Sequence, residues 1–273
     1  MPLLLKAVDP ARGARWVGDA FRLYARRPLA FSLMFVLFLT VATVLMLLPL
    51  GLWLAMCLVP LLSLGFMVAS QSALLGGPVR PAQFIEPLRG DAQRRKSLLI
   101  LCAIYGVAAM VTLWLVSLVA SDALERMRTV MAQGAQAPPE DVLALWADRD
   151  ITAALLVGTG MAALLSVPFW HAPALVHWGA QGVAQALFSS TLAVWRSKGA
   201  FLVYMLAWTG VGALFGLMIL LVFALPATRV LAPLVIVGSQ WLLTTVFYVS
   251  LLFTFNDSFG GAAAIPPESA SPR

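Results

Sequence analysis

Two histidines are the residues of this chain best suited to proton or metal chemistry. They are His171 and His177, in Pro168-Phe-Trp-His-Ala-Pro-Ala-Leu-Val-His-Trp178. Six positions apart, they point about 240° from each other on an ideal helix. They share a face only if Pro173 bends the segment. No carboxylate or cysteine nearby completes a metal set. Two glutamines, Gln71 and Gln240, also lie in strongly apolar runs. An amide there either hydrogen-bonds a neighbouring helix or lines a polar path. Gln71, Gln240, His171 and His177 are therefore the candidate polar path, with helix packing as the plainer role. Trp170 and Trp178 beside the histidines fit an aromatic interface belt.

Other chemistry is sparse. The apolar runs contain no Asp, Glu, Lys or Arg. Proton pumps and ion-coupled carriers usually need such residues within the membrane. There is no H-E-x-x-H, no nucleophile elbow and no phosphate loop. Cys57 and Cys102 fall inside apolar runs and read as small packing residues. These features predict no enzyme activity, no metal and no cofactor.

The elements that would carry these residues are membrane helices. The chain is 61% hydrophobic and only 11% charged, against about 25% charged for soluble domains. Apolar runs fall near 29–48, 52–75, 98–120, 151–173, 200–225 and 233–255, each long enough to cross a bilayer as a helix. Met1–Leu5 is too short an apolar run for a cleavable signal peptide. The predicted fold is all-α, a polytopic membrane helix bundle. Residues 1–28 form a cytoplasmic interfacial segment, 29–255 a six-helix transmembrane domain, 121–150 an extracytoplasmic insert, and 256–273 a disordered cytoplasmic tail.

Charge sets the threading. With the N-terminus inside, the inner segments hold fourteen basic and six acidic residues, for +8; the outer segments hold four and six, for −2. This is the asymmetry that orients membrane proteins. It predicts both termini in the cytoplasm. Reporter fusions at Gln136 should report outside, and fusions at Gly90 and Ser197 inside. The net charge of +6 lies beside lipid, and no motif supports nucleic-acid binding.

The runs pair as three in–out–in hairpins. Arg26-Arg27-Pro28, Arg94-Arg95-Lys96 and Arg196-Ser197-Lys198 precede the odd runs. Val59-Pro60, Val167-Pro168 and Ala232-Pro233 mark the even ones, each followed five positions later by Gly65, Pro173 or Gly238. Proline kinks a helix or starts one; Pro233 suits a first turn.

Two amphipathic stretches are expected to lie in the headgroup plane. In the first, Arg15, Asp19, Arg22 and Arg26 form a polar stripe, with Trp16, Ala20, Phe21, Leu23 and Tyr24 elsewhere. In the second, Ala184, Leu187, Phe188, Thr191, Leu192 and Trp195 form an apolar stripe, with Gln181, Gln185 and Ser189 away from it. Arg15, Trp16, Arg22, Arg26, Arg27, Trp170 and Trp178 are the expected lipid-interface residues. In the insert, Ser121-Asp122 and Pro139-Glu140-Asp141 read as helix starts. Gly212-Ala-Leu-Phe-Gly216 permits close helix approach.

A resemblance rests on Trp16-Val-x-x-Ala-Phe-Arg-Leu, Arg27-Pro-Leu-Ala, Gly65-Phe-Met, Pro168-Phe-Trp-x-Ala-Pro-Ala-Leu-Val, Ala200-Phe-x-Val-Tyr204 and Phe255-x-Asp257-x-Phe259. On these, the chain resembles an uncharacterised proteobacterial family of six-span inner-membrane proteins with no assigned activity. Its three-hairpin layout is loosely similar to membrane domains found beside glycerophosphodiester phosphodiesterases, whose catalytic motif it lacks. The resemblance implies a bacterial inner-membrane location. Two functions remain open. One is a non-enzymatic protein that organises the membrane or assists a partner, contacting lipids and a protein partner or a second copy. The other is a transporter or lipid-handling protein for a neutral solute or lipid.

Overall fold

In hydrocarbon every backbone amide needs a partner within the protein, which leaves helices as the natural solution for runs of this length. The computed structural model describes residues 4–133, 138, 140, 144–145, 147–224 and 231–260, and among them there are helices but no strand. The helices are α1 (Arg12–Arg26), α2 (Pro28–Met46), α3 (Gly51–Cys57), α4 (Val59–Leu74), α5 (Ala92–Ala132), α6 (Arg149–Phe169), α7 (Ala172–Gly179), α8 (Val183–Arg196), α9 (Lys198–Ala224) and α10 (Ala232–Phe259). Two short 3₁₀ turns, Pro81–Phe84 and Glu86–Leu88, precede α5. Six segments are long and apolar enough to span a membrane: α2, α3 with α4, the first part of α5, α6 with α7, α9 and α10. The chain is an all-α, multi-pass membrane bundle.

The prolines act in two ways. The second span breaks at Leu58, and Pro60 occupies the first turn of α4. The fourth span breaks after Phe169, with Pro168 in the last turn of α6 and Pro173 in the first turn of α7. Pro233 instead starts α10, at the first turn as expected. There its missing N–H costs nothing.

Three expectations need correction. Ser121-Asp122 starts no helix: α5 runs through both for 41 residues, about 60 Å and twice the hydrocarbon thickness. The extension is held from outside. Arg126 meets Asp148 at 2.6 Å, and Asp148 caps α6 by accepting from the amides of Asp150 and Ile151. Of the second expected start, Pro139 and Asp141 lie outside the described residues, as do Gln136 and 261–273. Next, residues 256–259 belong to α10, not to a tail. Last, the described part of 1–28 is no separate segment. The apolar face of α1, Gly13, Trp16, Val17, Ala20 and Leu23, is buried against α9 and α10.

Among the described residues, packing is densest at the end where Lys6 meets Ser258, the terminal end of the bundle. Leu64, Met67, Leu98, Leu101, Leu175 and Phe255 form one core. Phe31, Met34, Phe66, Val246 and Val249 form a second. Trp16, Phe201 and Tyr204 form a third. Towards the insert the helices present bare apolar surface: Leu155 and Leu156 on α6, Leu214, Leu217, Leu220 and Leu221 on α9, Leu234 and Val237 on α10.

Candidate functional site, an aromatic cluster around His171 and the Asp257 anchor

The break between α6 and α7 disrupts the helical hydrogen bond from the His171 amide to the Val167 carbonyl. The hydroxyl of Ser190, on α8, is inserted there. Ser190 Oγ accepts from the His171 N–H at 3.0 Å and donates to the Val167 carbonyl at 3.1 Å. An inserted side chain of this kind is a recognised cause of a sharp kink. Here it also ties α8 to the broken span.

The break turns His171 into the bundle, where it is fully buried. Its ring meets Phe201, Phe255 and Phe259 at centroid distances of 6.0, 5.8 and 5.5 Å. Neither ring nitrogen has a hydrogen-bond partner among the described residues. His177 is half-buried in the last turn of α7, 5.5 Å from the Trp178 ring. Among the described residues no three His, Cys, Asp or Glu side chains come together as a metal set.

Trp170 extends the cluster. It stands edge-on to Phe201, Tyr204 and Phe247, and its indole N–H donates to Thr254 Oγ1 at 3.2 Å. The Tyr204 hydroxyl lies 2.6 Å from Ser250 Oγ. Ser250 donates its own proton to the Phe247 carbonyl, so the Tyr204 O–H is the donor between the two hydroxyls. Trp178 packs on Phe255 at 5.3 Å.

α1 closes the cluster from the terminal end. One Asp257 oxygen accepts from Arg12 Nε and from Trp16 Nε1, both at 2.7 Å. The hydrogen bond to Asp257 raises the Arg12 pKa further above its ordinary value, against the opposing effect of burial. The Trp16 ring packs on Phe201 and Tyr204 at 5.5 and 5.8 Å. This approach requires glycine at position 13, where a Cβ would run into the Ala200 carbonyl and the Tyr204 amide. The arrangement is thus a latch joining the first helix, the broken span, α9 and the end of α10.

Several expected site residues fall elsewhere. Trp16 is not a lipid-interface residue; its exposure is 0%, and its indole N–H reaches the half-buried Asp257 carboxylate. Trp170 and Trp178 are half-buried, each packing part of its ring into the cluster. Arg15, Arg22 and Arg26 are exposed on the outer face of α1, with Arg22 3.2 Å from Asp19. Arg27 is turned inward, donating to the Gly77 carbonyl at 2.6 Å and to that of Gly76 at 3.3 Å.

The polar-path residues do not form one line. Gln71 is half-buried on α4, whereas Gln240 is exposed on α10 and donates to Thr244 of its own helix at 3.3 Å. α4 and α10 both run towards the terminal end, and Phe66 stacks on Tyr248 at 5.6 Å. Gln71 lies five residues beyond that level and Gln240 eight residues short of it, a separation of about 20 Å along the bundle. Arg12, Ser190, Tyr204 and Asp257 are the functional residues that sequence reasoning missed. Asp257 carried a signal: it is a lone carboxylate between two phenylalanines in the closing motif.

Four of the six motifs behind the family resemblance converge here: that of Trp16, the stretch from Pro168 to Val176, Ala200-Phe-x-Val-Tyr204 and Phe255-x-Asp257-x-Phe259. No family model matches the chain, and no solved structure matches it. A probable inner membrane protein of Burkholderia thailandensis is 30% identical over 270 residues, covering 96% of this chain and 97% of the relative. At that identity and coverage, the chain belongs to the same family of inner-membrane proteins.

Proposed function

We propose that this is a non-enzymatic inner-membrane protein that organises the bilayer or assists a partner complex, threaded with both termini in the cytoplasm. The observation that carries the reading is how its side chains are used. The polar and aromatic groups of the terminal end join the chain to itself, through Asp257, Ser190 and the cluster around His171. The insert-side halves of α6, α9 and α10 meanwhile offer apolar surface. A rigid base with open helical faces suits lateral association better than turnover. The separation of Gln71 from Gln240 weighs against a solute path between them.

Native mass spectrometry of the protein extracted with its surrounding lipid tests the proposal. The expected result is a stoichiometric second polypeptide or a second copy. A lone chain retaining a solute, lost when Gln71 and Gln240 are both changed to Leu, would overturn it in favour of transport or lipid handling. Reporter fusions at Gly90 and Ser197 test the threading separately, and both are expected to report inside.

A further inference from the structure

The outward face of α8 is apolar. At about 100° per residue, Ala184, Phe188, Thr191, Leu192 and Trp195 fall within one arc of about 100°, and all five are exposed. Phe188 and Trp195 are each 70% exposed. The opposite face consists of Ala186, Ser190 and Ala193, all buried against the protein. A helix docked in water would turn its large apolar side chains inward and its small polar ones outward. α8 does the reverse, so water is not the medium its outer face is built for.

Charge identifies that medium. Gln185 and Arg196 sit at the edge of the apolar arc, both exposed. Lys198, the next basic residue, places its ammonium 5.4 Å from the centre of the Trp195 ring. Neither Arg196 nor Lys198 has a carboxylate partner among the described residues. An apolar arc bordered by unpaired cations, with a tryptophan between, complements the boundary between acyl chains and anionic headgroups.

We infer that α8 is an interfacial helix that reads anionic phospholipid, Phe188, Leu192 and Trp195 entering the acyl boundary while Arg196 and Lys198 meet the phosphates. The inference rests on the cytoplasmic placement of this end, and it stands whichever partner the protein serves. Ser190 gives the helix a mechanical connection. It is the single α8 side chain that bridges Val167 and His171, so a shift of α8 in the interface reaches the break in the fourth span directly.

Hydrogen exchange of residues 183–196, measured on the full chain in nanodiscs, tests this. Discs of phosphatidylcholine alone are compared with discs containing equal phosphatidylglycerol. Exchange is expected to be at least about fivefold slower with phosphatidylglycerol, each basic residue near an anionic surface accounting for a factor of about five. The Arg196→Gln/Lys198→Gln variant is expected to exchange equally in both lipids. Phe188→Ser/Trp195→Ser should exchange faster in both. Equal wild-type rates in the two lipids would overturn the inference. So would protection that ignores lipid and disappears at one chain per disc, which would make a second copy the occupant. A Ser197 fusion that reports outside would remove the premise, whereas a missing protein partner would leave the inference untouched.

Discussion

α1 and α8 are both short amphipathic helices set directly before a membrane span, and they face opposite ways. α1 turns Trp16, Val17, Ala20 and Leu23 into the protein and leaves Arg15, Arg22 and Arg26 outside. α8 turns Ala186, Ser190 and Ala193 inward and leaves Phe188, Leu192 and Trp195 outside. The difference lies in what each helix finds beneath it. α1 meets a carboxylate, Asp257, that both Arg12 and Trp16 can reach, and a close backbone contact at Gly13. α8 meets a kinked backbone that needs one small hydroxyl. Periodicity reveals that a helix has two faces; the neighbour decides which face is inside.

The largest effect expected from this contrast separates two tryptophans. Trp16→Ala should cost about 3–5 kcal/mol, as for other buried tryptophans, while Trp195→Ala should stay within about 0.5 kcal/mol in detergent. Unfolding in a single mild detergent measures both, and equal costs would break the distinction. Next is Gly13→Val, which forces a side chain into the backbone of α9. It should cost about 3 kcal/mol and make α1 readily cleaved by protease.

Asp257→Ala should follow, at about 2 kcal/mol, because it leaves the Trp16 indole and the Arg12 guanidinium without their acceptor. Arg12→Gln should cost less, since the pair is partly exposed. Ser190→Ala should remove about 1 kcal/mol. Its clearer signature is faster exchange at the His171 amide, which loses its acceptor, with the α1 amides unchanged.

The smallest effect concerns the far end of the molecule. The hydrogen bond from Arg126 holds the Asp148 carboxyl below its ordinary pKa. A carboxylate depressed on folding stabilises the fold above its unfolded pKa and loses that contribution as pH falls through the folded value. The protection of the Asp150 and Ile151 amides, which Asp148 caps, measured against their intrinsic exchange rates, should therefore fall only under acid. Arg126→Gln should move that onset to higher pH.

Much of the fold was legible in the sequence because the bilayer imposes it: apolar runs of fixed length, and proline where a helix kinks or begins. Pro60 and Pro168 mark breaks and Pro233 a start, and each could be read locally. The course of α5 could not. Ser121-Asp122 is a good cap in isolation, but packing of Val116 against Ile151 and Ala154, with Arg126 reaching Asp148, keeps the helix going. The site was less legible still. Trp16 and Asp257 are 241 residues apart, and nothing local ties an indole to a carboxylate at that distance. The amphipathic stripe of α8 was visible, including Trp195. Its orientation depends on Ala186, Ser190 and Ala193, whose small size matters only once the broken span beside them is known.

The most direct test places a spin label at Arg22→Cys on α1 and at Leu192→Cys on α8, in full-length protein with Cys57 and Cys102 changed to Ala. In lipid bilayers the two labels are compared for collisions with oxygen, which concentrates in hydrocarbon, and with a polar nickel complex, which stays in water. The account predicts that the Leu192 label is relaxed mainly by oxygen and the Arg22 label mainly by nickel. A Leu192 label relaxed mainly by nickel would show α8 facing water and would contradict the opposed orientation of the two helices.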